Sequence, residues 1–248
     1  MSELSEIAIL ISLFFLTGMV KGFFGIGIPP ILLGTLTFIH DPRYVLTLIM
    51  IPVVASNARQ ALRGGDVGAI IGKHKWFVPT AMVAITVSAY FGGAIPSDSM
   101  SILTGCAMVL FALTSLINRV PPLPSLWFGP VQVLAGIASG LLGGISGIWG
   151  PPMLVYLFSL RLSALELIQT IGVFFFILSL SMTFGLILAG DLTAEIAILS
   201  IFLTIPLFLG MSPGERLRAR INDNNFLRWF LIGFLILGLN MIRRSMYS

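Results

Sequence analysis

Apolar runs of about twenty residues alternate with short polar intervals along nearly the whole chain, at the length a helix needs to cross a hydrocarbon core of about 30 Å. Ordinary membrane helices are predicted near 44–62, 76–95, 100–118, 163–189, 194–211 and 226–243. Two further apolar segments, 6–39 and 127–160, are longer and are interrupted by glycine and proline. A continuous helix of 34 residues would run about 51 Å at 1.5 Å per residue, well beyond one crossing. Such a segment must break. In the first, the break is expected between Gly22 and Pro30, because glycine weakens helix while Pro30 lacks a donor and disfavours α geometry at the residue before it.

The two broken segments are copies of one another. Residues 17–33, TGMVKGFFGIGIPPILL, align without gaps to residues 139–155, SGLLGGISGIWGPPMLV, with seven of seventeen positions identical. The shared residues are Gly18/Gly140, Gly22/Gly144, Gly25/Gly147, Ile26/Ile148, Pro29/Pro151, Pro30/Pro152 and Leu32/Leu154, mostly residues that decide backbone geometry. A weaker echo pairs Gly65-Asp66-Val67 with Gly190-Asp191-Leu192. The chain therefore divides into two related halves, 1–120 and 125–248, each with one broken segment and three membrane helices. The fold class expected is an all-α polytopic membrane protein.

Composition agrees. Hydrophobic residues make up 57% and charged residues 10% of 248, with mean hydropathy +1.03, outside the range of soluble domains. Glu3 and Glu6 stand where a secretory signal carries basic residues, so the N-terminal segment is expected to be retained. Cys106 is the single cysteine, which excludes an internal disulfide and a multi-cysteine metal site, and is expected to pack within a helix. His40 and His74 fall near loops, too scattered to argue for a metal or a proton relay. No metal site, cofactor or catalytic residue is expected. The net charge of +4 forms no continuous patch, so nucleic acid is not an expected partner. The partners expected are a small anion and the lipid bilayer, with a homo-oligomer left open.

The distribution of basic residues bears on topology. If each broken segment crossed once, the two sides would receive seven and six basic residues, leaving Lys21 aside. If each folds back as a hairpin, one side collects Arg59, Arg63, Lys73, Lys75, Arg119, Arg161, Arg216, Arg218, Arg220 and Arg228, and the other keeps Arg43, Arg243 and Arg244. Ten against three satisfies the positive-inside rule better. Each half then has an odd number of full crossings, so the halves are inverted repeats. The loops 59–75 and 211–228 are expected in the cytoplasm and both termini outside, with Arg243 and Arg244 discordant.

Inverted repeats with paired discontinuous helices recur in secondary transporters, where the breaks meet near the bilayer midplane and form the substrate site. Pro29 and Pro30, like Pro151 and Pro152, suit the first turn of a second half-helix. Two half-helix N-termini in one cavity would favour an anion. Lys21 fits that field, lying fifteen residues from Glu6 and twenty from Asp41. The competing explanation is that its stem snorkels to an interface or its ammonium caps buried carbonyls. Gly143 occupies the equivalent place in the second half, so the lysine is not required for the break itself.

The candidate substrate-binding set is Lys21, Gly22, Gly25, Gly27, Pro29, Asn57, Gln60, Gly144, Ser146, Gly147, Trp149, Gly150, Pro151, Gln169 and Thr170. Asn57, Gln60, Ser146, Gln169 and Thr170 could hydrogen-bond an oxyanion, and interhelical packing would explain each equally well. Trp149 could line a pathway or simply pack. Asp41, Asp66, Asp98, Asp191, Glu195 and Glu166 all read as loop or helix-end residues, which leaves proton coupling through a buried acid unsupported.

At "GMVKGFFGIGIPP", "SNARQALRGGD" and "GLLGGISGIWGPPMLVYL" the chain resembles the TauE/SafE family of sulfite and organosulfonate exporters, also called the 4-toluene sulfonate uptake permease family. The resemblance spans both halves, and Lys21 matches a bacterial variant with a lysine before the first glycine of the break. It implies transport of small sulfur-containing anions such as sulfite, sulfoacetate or other sulfonates across a bacterial inner membrane. Ile28 and Trp149 stand where glycines often extend the family's runs, which bears on pocket size.

Two other classes compete. Gly144-Ile145-Ser146-Gly147 fits the G-x-S-G nucleophile motif of rhomboid proteases, yet no histidine follows Ser146 to act as its base. An anion channel could use the same half-helix ends. The reading best supported by the sequence is a small-anion transporter using alternating access at the paired breaks.

Overall fold

The computed structural model describes residues 3–62, 66–117, 120–218 and 224–246. These form α-helices α1 (Glu3–Phe24), α2 (Ile28–Leu36), α3 (Pro42–Leu62), α4 (Val67–Lys73), α5 (Phe77–Phe91), α6 (Ser97–Ile117), α7 (Phe128–Ser146), α8 (Gly150–Ser159), α9 (Ala164–Leu188), α10 (Ala194–Arg218) and α11 (Asn224–Met246), with no strand among the described residues. Among the described residues, seven helices are long and apolar enough to span a bilayer: α1, α3, α5, α6, α7, α9 and α10. The protein is an all-α polytopic membrane protein, as its hydropathy pattern predicts.

Both long segments break, between Phe24 and Ile28 and between Ser146 and Gly150. The contacts at their ends show that each folds back. His40, just beyond α2, lies 3.2 Å from Glu6 near the start of α1. The Leu123 amide, ahead of α7, donates to the Ser159 carbonyl at the end of α8 over 3.0 Å. The start of α3 joins the first of these faces: Arg43 binds Asp191 in the turn before α10 at 2.5–2.9 Å, and Ser97 at the start of α6 donates to Asp41. Arg244 near the end of α11 reaches Thr37 there as well. We call this the terminal face. On the opposite, basic face Arg59 at the end of α3 pairs with Glu215 at the end of α10 over 2.9 Å. Arg161 donates to Val120 there. Helix α1 thus starts at the terminal face and α7 at the basic face. Arg63, Arg119 and Arg220, which the sequence assigns to the basic side, lie outside the described residues, as does Gly65.

Small residues set how closely the helices approach. Gly18 and Gly22 of α1 lie so near the Leu207 and Met211 carbonyls of α10 that an added Cβ would strike them, while Gly210 and Gly214 of α10 meet Phe15 and Met19 in return. Each step of four residues on one helix matches four on the other, so α1 and α10 run parallel, backbone against backbone. Gly136, Gly140 and Gly144 of α7 meet α5 at Phe77, Ala81 and Ile85 in the same way. In hydrocarbon, where water gives no hydrophobic drive for helix pairing, such close van der Waals contact is a main source of association.

Backbone groups released inside the bundle find partners. Pro52 inside α3 cannot donate to the Leu48 carbonyl, and Ser200 of α10 does so instead at 2.6 Å. His74, ahead of α5, is 1% exposed and contacts the Tyr156 hydroxyl of α8 at 2.6 Å. Burial first, and the Lys73 charge second, push its pKa down to about 4, so it is neutral at physiological pH.

Three details depart from the sequence reading. The stretch taken as loop 59–75 contains α4, N-capped by Asp66, whose carboxylate accepts from the Ala69 amide. Helix α10 runs on through Pro213 to Arg218, seven residues past the predicted end. Cys106 is exposed on α6 rather than packed in the core.

Replacing Gly22 with alanine forces the Met211 backbone away and should cost about 1–3 kcal/mol, the usual range for overpacking. The apparent melting temperature of Gly22→Ala in detergent is expected to fall by several degrees, while Gly129→Ala, with open space around its Cβ, leaves it unchanged or slightly raised. Equal melting temperatures for the two would contradict the tight α1/α10 contact.

Candidate functional site

The two breaks are built on one shared residue and completed differently. Gly25 and Gly147 occupy equivalent places and both adopt left-handed backbone, φ 76° and 71°. Each amide donates back four residues, Gly25 to Lys21 at 2.8 Å and Gly147 to Gly143 at 2.7 Å, ending the first half-helix with an αL cap. In the second hairpin the remaining closure is local. Ser146 donates to the Leu142 carbonyl at 2.7 Å and accepts from the Ile148 amide at 3.1 Å. In the first hairpin the closure comes from Lys21. Its ammonium donates to the Gly25 carbonyl at 2.7 Å, to Asn57 Oδ1 at 2.7 Å and to Gln60 Oε1 at 3.0 Å.

Lys21 is therefore both a cap and an intramembrane charge. It is 3% exposed, faces no carboxylate within its hydrogen-bonding shell, and sits at the C-terminal end of α1, where a cation complements the helix dipole. Its three N–H donors are all engaged. Asn57 is held at both ends, accepting from Lys21 and donating one of its two N–H groups to the Phe175 carbonyl at 3.3 Å. Phe175 presents its ring to the ammonium 5.8 Å away.

Beyond each break a short helix begins with paired prolines. The first helical N–H groups have no intrahelical partner. Pro29 and Pro30 in α2, and Pro151 and Pro152 in α8, delete two of these donors per half-helix, and neither N-terminus carries a side-chain cap. What remains near each tip are the amides of Gly27 and Ile28 and of Trp149 and Gly150. All four residues wall one cavity of about 40 Å³ between the hairpin tips, together with Lys21, Pro29, Val53, Asn57, Phe111, Gly147 and Phe175. That exceeds the roughly 10–15 Å³ a single water needs on the same kind of measure. A second hollow of about 250 Å³ on the basic face is lined by Lys21, Gly22, Gly25, Arg59, Gln60, Gln169, Glu215 and Arg218. Lys21 borders both, and its bridge to Asn57 and Gln60 forms the partition between them.

The candidate residues thus sort by place. Lys21, Gly27, Pro29, Asn57, Gly147, Trp149 and Gly150 border the cavity between the tips. Gly22, Gly25, Gln60 and Gln169 border the basic-face hollow. Thr170 lines a separate hollow beside Lys73 and His74, and its hydroxyl is bonded to the Glu166 carbonyl. The Ser146 hydroxyl is committed within the break, Gly144 faces α5, and Pro151 lies in the first turn of α8. Val53, Phe111 and Phe175 are cavity walls absent from the sequence candidates. Two of them were findable, because Val53 and Phe175 are separated by the same interval as residues 17 and 139, so the repeat register continues into the next helices.

Comparison with curated proteins and with solved structures returned no match. The family model described as sulfite exporter TauE/SafE matches residues 10–241, which takes in both breaks and all seven candidate spans except the outermost turns of the first. This integral membrane protein belongs to the sulfite exporter TauE/SafE family of transporters.

Proposed function

We propose that this protein carries a small anion, sulfite or an organosulfonate such as sulfoacetate, across a bacterial inner membrane by alternating access at the two hairpin tips. The observation that carries the reading is the cavity itself, where one buried ammonium and two proline-trimmed half-helix N-termini converge on a space sized for a small oxyanion. The helix ends favour negative charge, and in a low-dielectric surround the lysine strengthens that preference. Arg59 and Arg218 beside the hollow on the basic face would draw anions toward Lys21, with Glu215 offsetting part of that charge.

The two halves act as inverted repeats in this reading, supported by the opposite faces from which α1 and α7 start. The basic face lies in the cytoplasm, in keeping with the bias of lysine and arginine. The Lys21 bridge to Asn57 and Gln60 then stands between the cytoplasmic hollow and the inner cavity, and opening it admits the substrate. On the terminal face, the Arg43–Asp191 pair holds the start of α3 against the turn before α10 and closes the opposite exit.

Two tests follow. Lys21→Met removes the charge, and loss of a hydrogen bond to an ionised group is worth about 1.5–3 kcal/mol. Sulfoacetate or sulfite flux in proteoliposomes, normalised to folded protein, is expected to drop at least tenfold, and flux equal to that of the unaltered protein would refute the charge role. For the topology, Gly72 and Gly93 both have open space around them and lie toward the basic and terminal faces respectively. In a Cys106→Ala background, Gly72→Cys should react with an impermeant maleimide only from the cytoplasmic side and Gly93→Cys only from outside. Labelling of both from one side, or of Gly72→Cys only from outside, would overturn this assignment of the two faces.

A further inference from the structure

Three polar side chains border the cavity between the tips, and two of them already have hydrogen-bond partners, although Asn57 uses one of its two N–H groups. Every N–H of Lys21 has an acceptor, and both ends of the Asn57 amide are bonded. The third is Trp149. Its side chain is 3% exposed, and its indole Nε1 is buried with no hydrogen-bond partner. A buried donor left unmatched is destabilising, and in native structures such groups usually have a ligand, an ion or a water to bind.

The position of the ring explains how that donor is presented. Gly143, the counterpart of Lys21, leaves room for the tryptophan: a Cβ at 143 would fall 2.7 Å from Trp149 Cβ and 3.2 Å from its Cε3. With the Cε3 edge against α7, the opposite edge of the indole, which carries Nε1, turns away from that helix. Phe175 meets the Trp149 ring edge-on at 5.8 Å and faces the Lys21 ammonium at the same distance, so one aromatic ring holds both groups at their places around the cavity. The hairpins are thus complementary rather than identical. The first carries lysine at 21 and glycine at 27; the second carries glycine at 143 and tryptophan at 149.

Resting on the anion reading above, we propose that the Trp149 indole N–H is the directional donor to one oxygen of the transported anion and determines its specificity. Lys21 supplies charge without a free N–H, and Trp149 supplies the hydrogen bond without charge. Within the organosulfonates this pair favours a singly charged member with an apolar flank over the doubly charged sulfoacetate: one cation borders the cavity, and Ile28, Val53 and Phe111 wall it.

The test uses the full-length protein in detergent with methanesulfonate as probe, read by ligand-induced melting shift and titration calorimetry. Trp149→Phe keeps an aromatic wall and removes the N–H. It is expected to weaken methanesulfonate at least tenfold while the ligand-free melting temperature stays within about 2 °C of the unaltered protein, a separation that a packing role would not produce. In a Trp76→Phe, Trp127→Phe, Trp229→Phe background, Trp149 fluorescence should change on adding methanesulfonate, which gives a readout independent of the phenylalanine variant. If the unaltered protein binds and Lys21→Met does not, but Trp149→Phe binds as tightly as the unaltered protein, the anion site stands and the Trp149 assignment falls. Binding to the single-tryptophan protein without a fluorescence change would overturn the assignment too. No methanesulfonate binding by the unaltered protein would overturn both readings together.

Discussion

A carbonyl released by a helix break in hydrocarbon has no water to turn to, and leaving it bare costs several kcal/mol. The Lys21 ammonium on the Gly25 carbonyl answers that need in the first hairpin, and much else depends on it. By reaching Asn57 and Gln60 at the same time, the lysine ties the end of α1 to α3 and fixes where the first tip sits relative to the second. The capping role and the electrostatic role are therefore one arrangement. The hydrogen-bonding shell of Lys21 holds only neutral oxygens, so no carboxylate in that shell offsets its charge beside the cavity.

In the second hairpin the turn is closed locally, where Ser146 donates to the Leu142 carbonyl and accepts from the Ile148 amide. That frees position 143 to be glycine and lets Trp149 fold over it. An internal repeat has in this way kept its turn residue, Gly25 and Gly147, and its proline pairs, while one copy carries a lysine at 21 and the other a tryptophan at 149. Close glycine contacts of α1 with α10 and of α7 with α5 bind each hairpin helix to the other half of the chain. A movement of either hairpin must therefore involve both halves, which is what exchange of access between two faces requires.

The hydrophobic pattern made the helices legible because each crossing must be long and apolar, and the breaks were legible because only glycine and proline resolve an overlong segment. The repeat then drew attention to the paired breaks. Lys21, Gly27, Pro29, Asn57, Gly147, Trp149 and Gly150 were all named from the sequence and do border one cavity. What a one-dimensional pattern does not carry is the state of each donor. Nothing in the sequence distinguishes the Ser146 hydroxyl, used up inside its own turn, from the Trp149 N–H, left unmatched. Helix α4 escaped notice because it is short and buries no residue. The extension of α10 escaped because it runs past the apolar stretch, through Pro213 to the charged residues Glu215, Arg216 and Arg218. Gln169 and Thr170 read as site residues from their helix, yet rotation about that helix directs them to other hollows.

The central claim is that the anion binds between the hairpin tips, held by Lys21 charge and by donors of the second hairpin. The most direct measurement is a diffraction structure with bromomethanesulfonate, using the bromine anomalous signal to place the ligand. The account predicts the signal in the cavity bordered by Ile28, Trp149 and Gly150, with a sulfonate oxygen within hydrogen-bond distance of Trp149 Nε1. A single anomalous peak beside Arg59 and Arg218 on the basic face, with none between the tips, would contradict it.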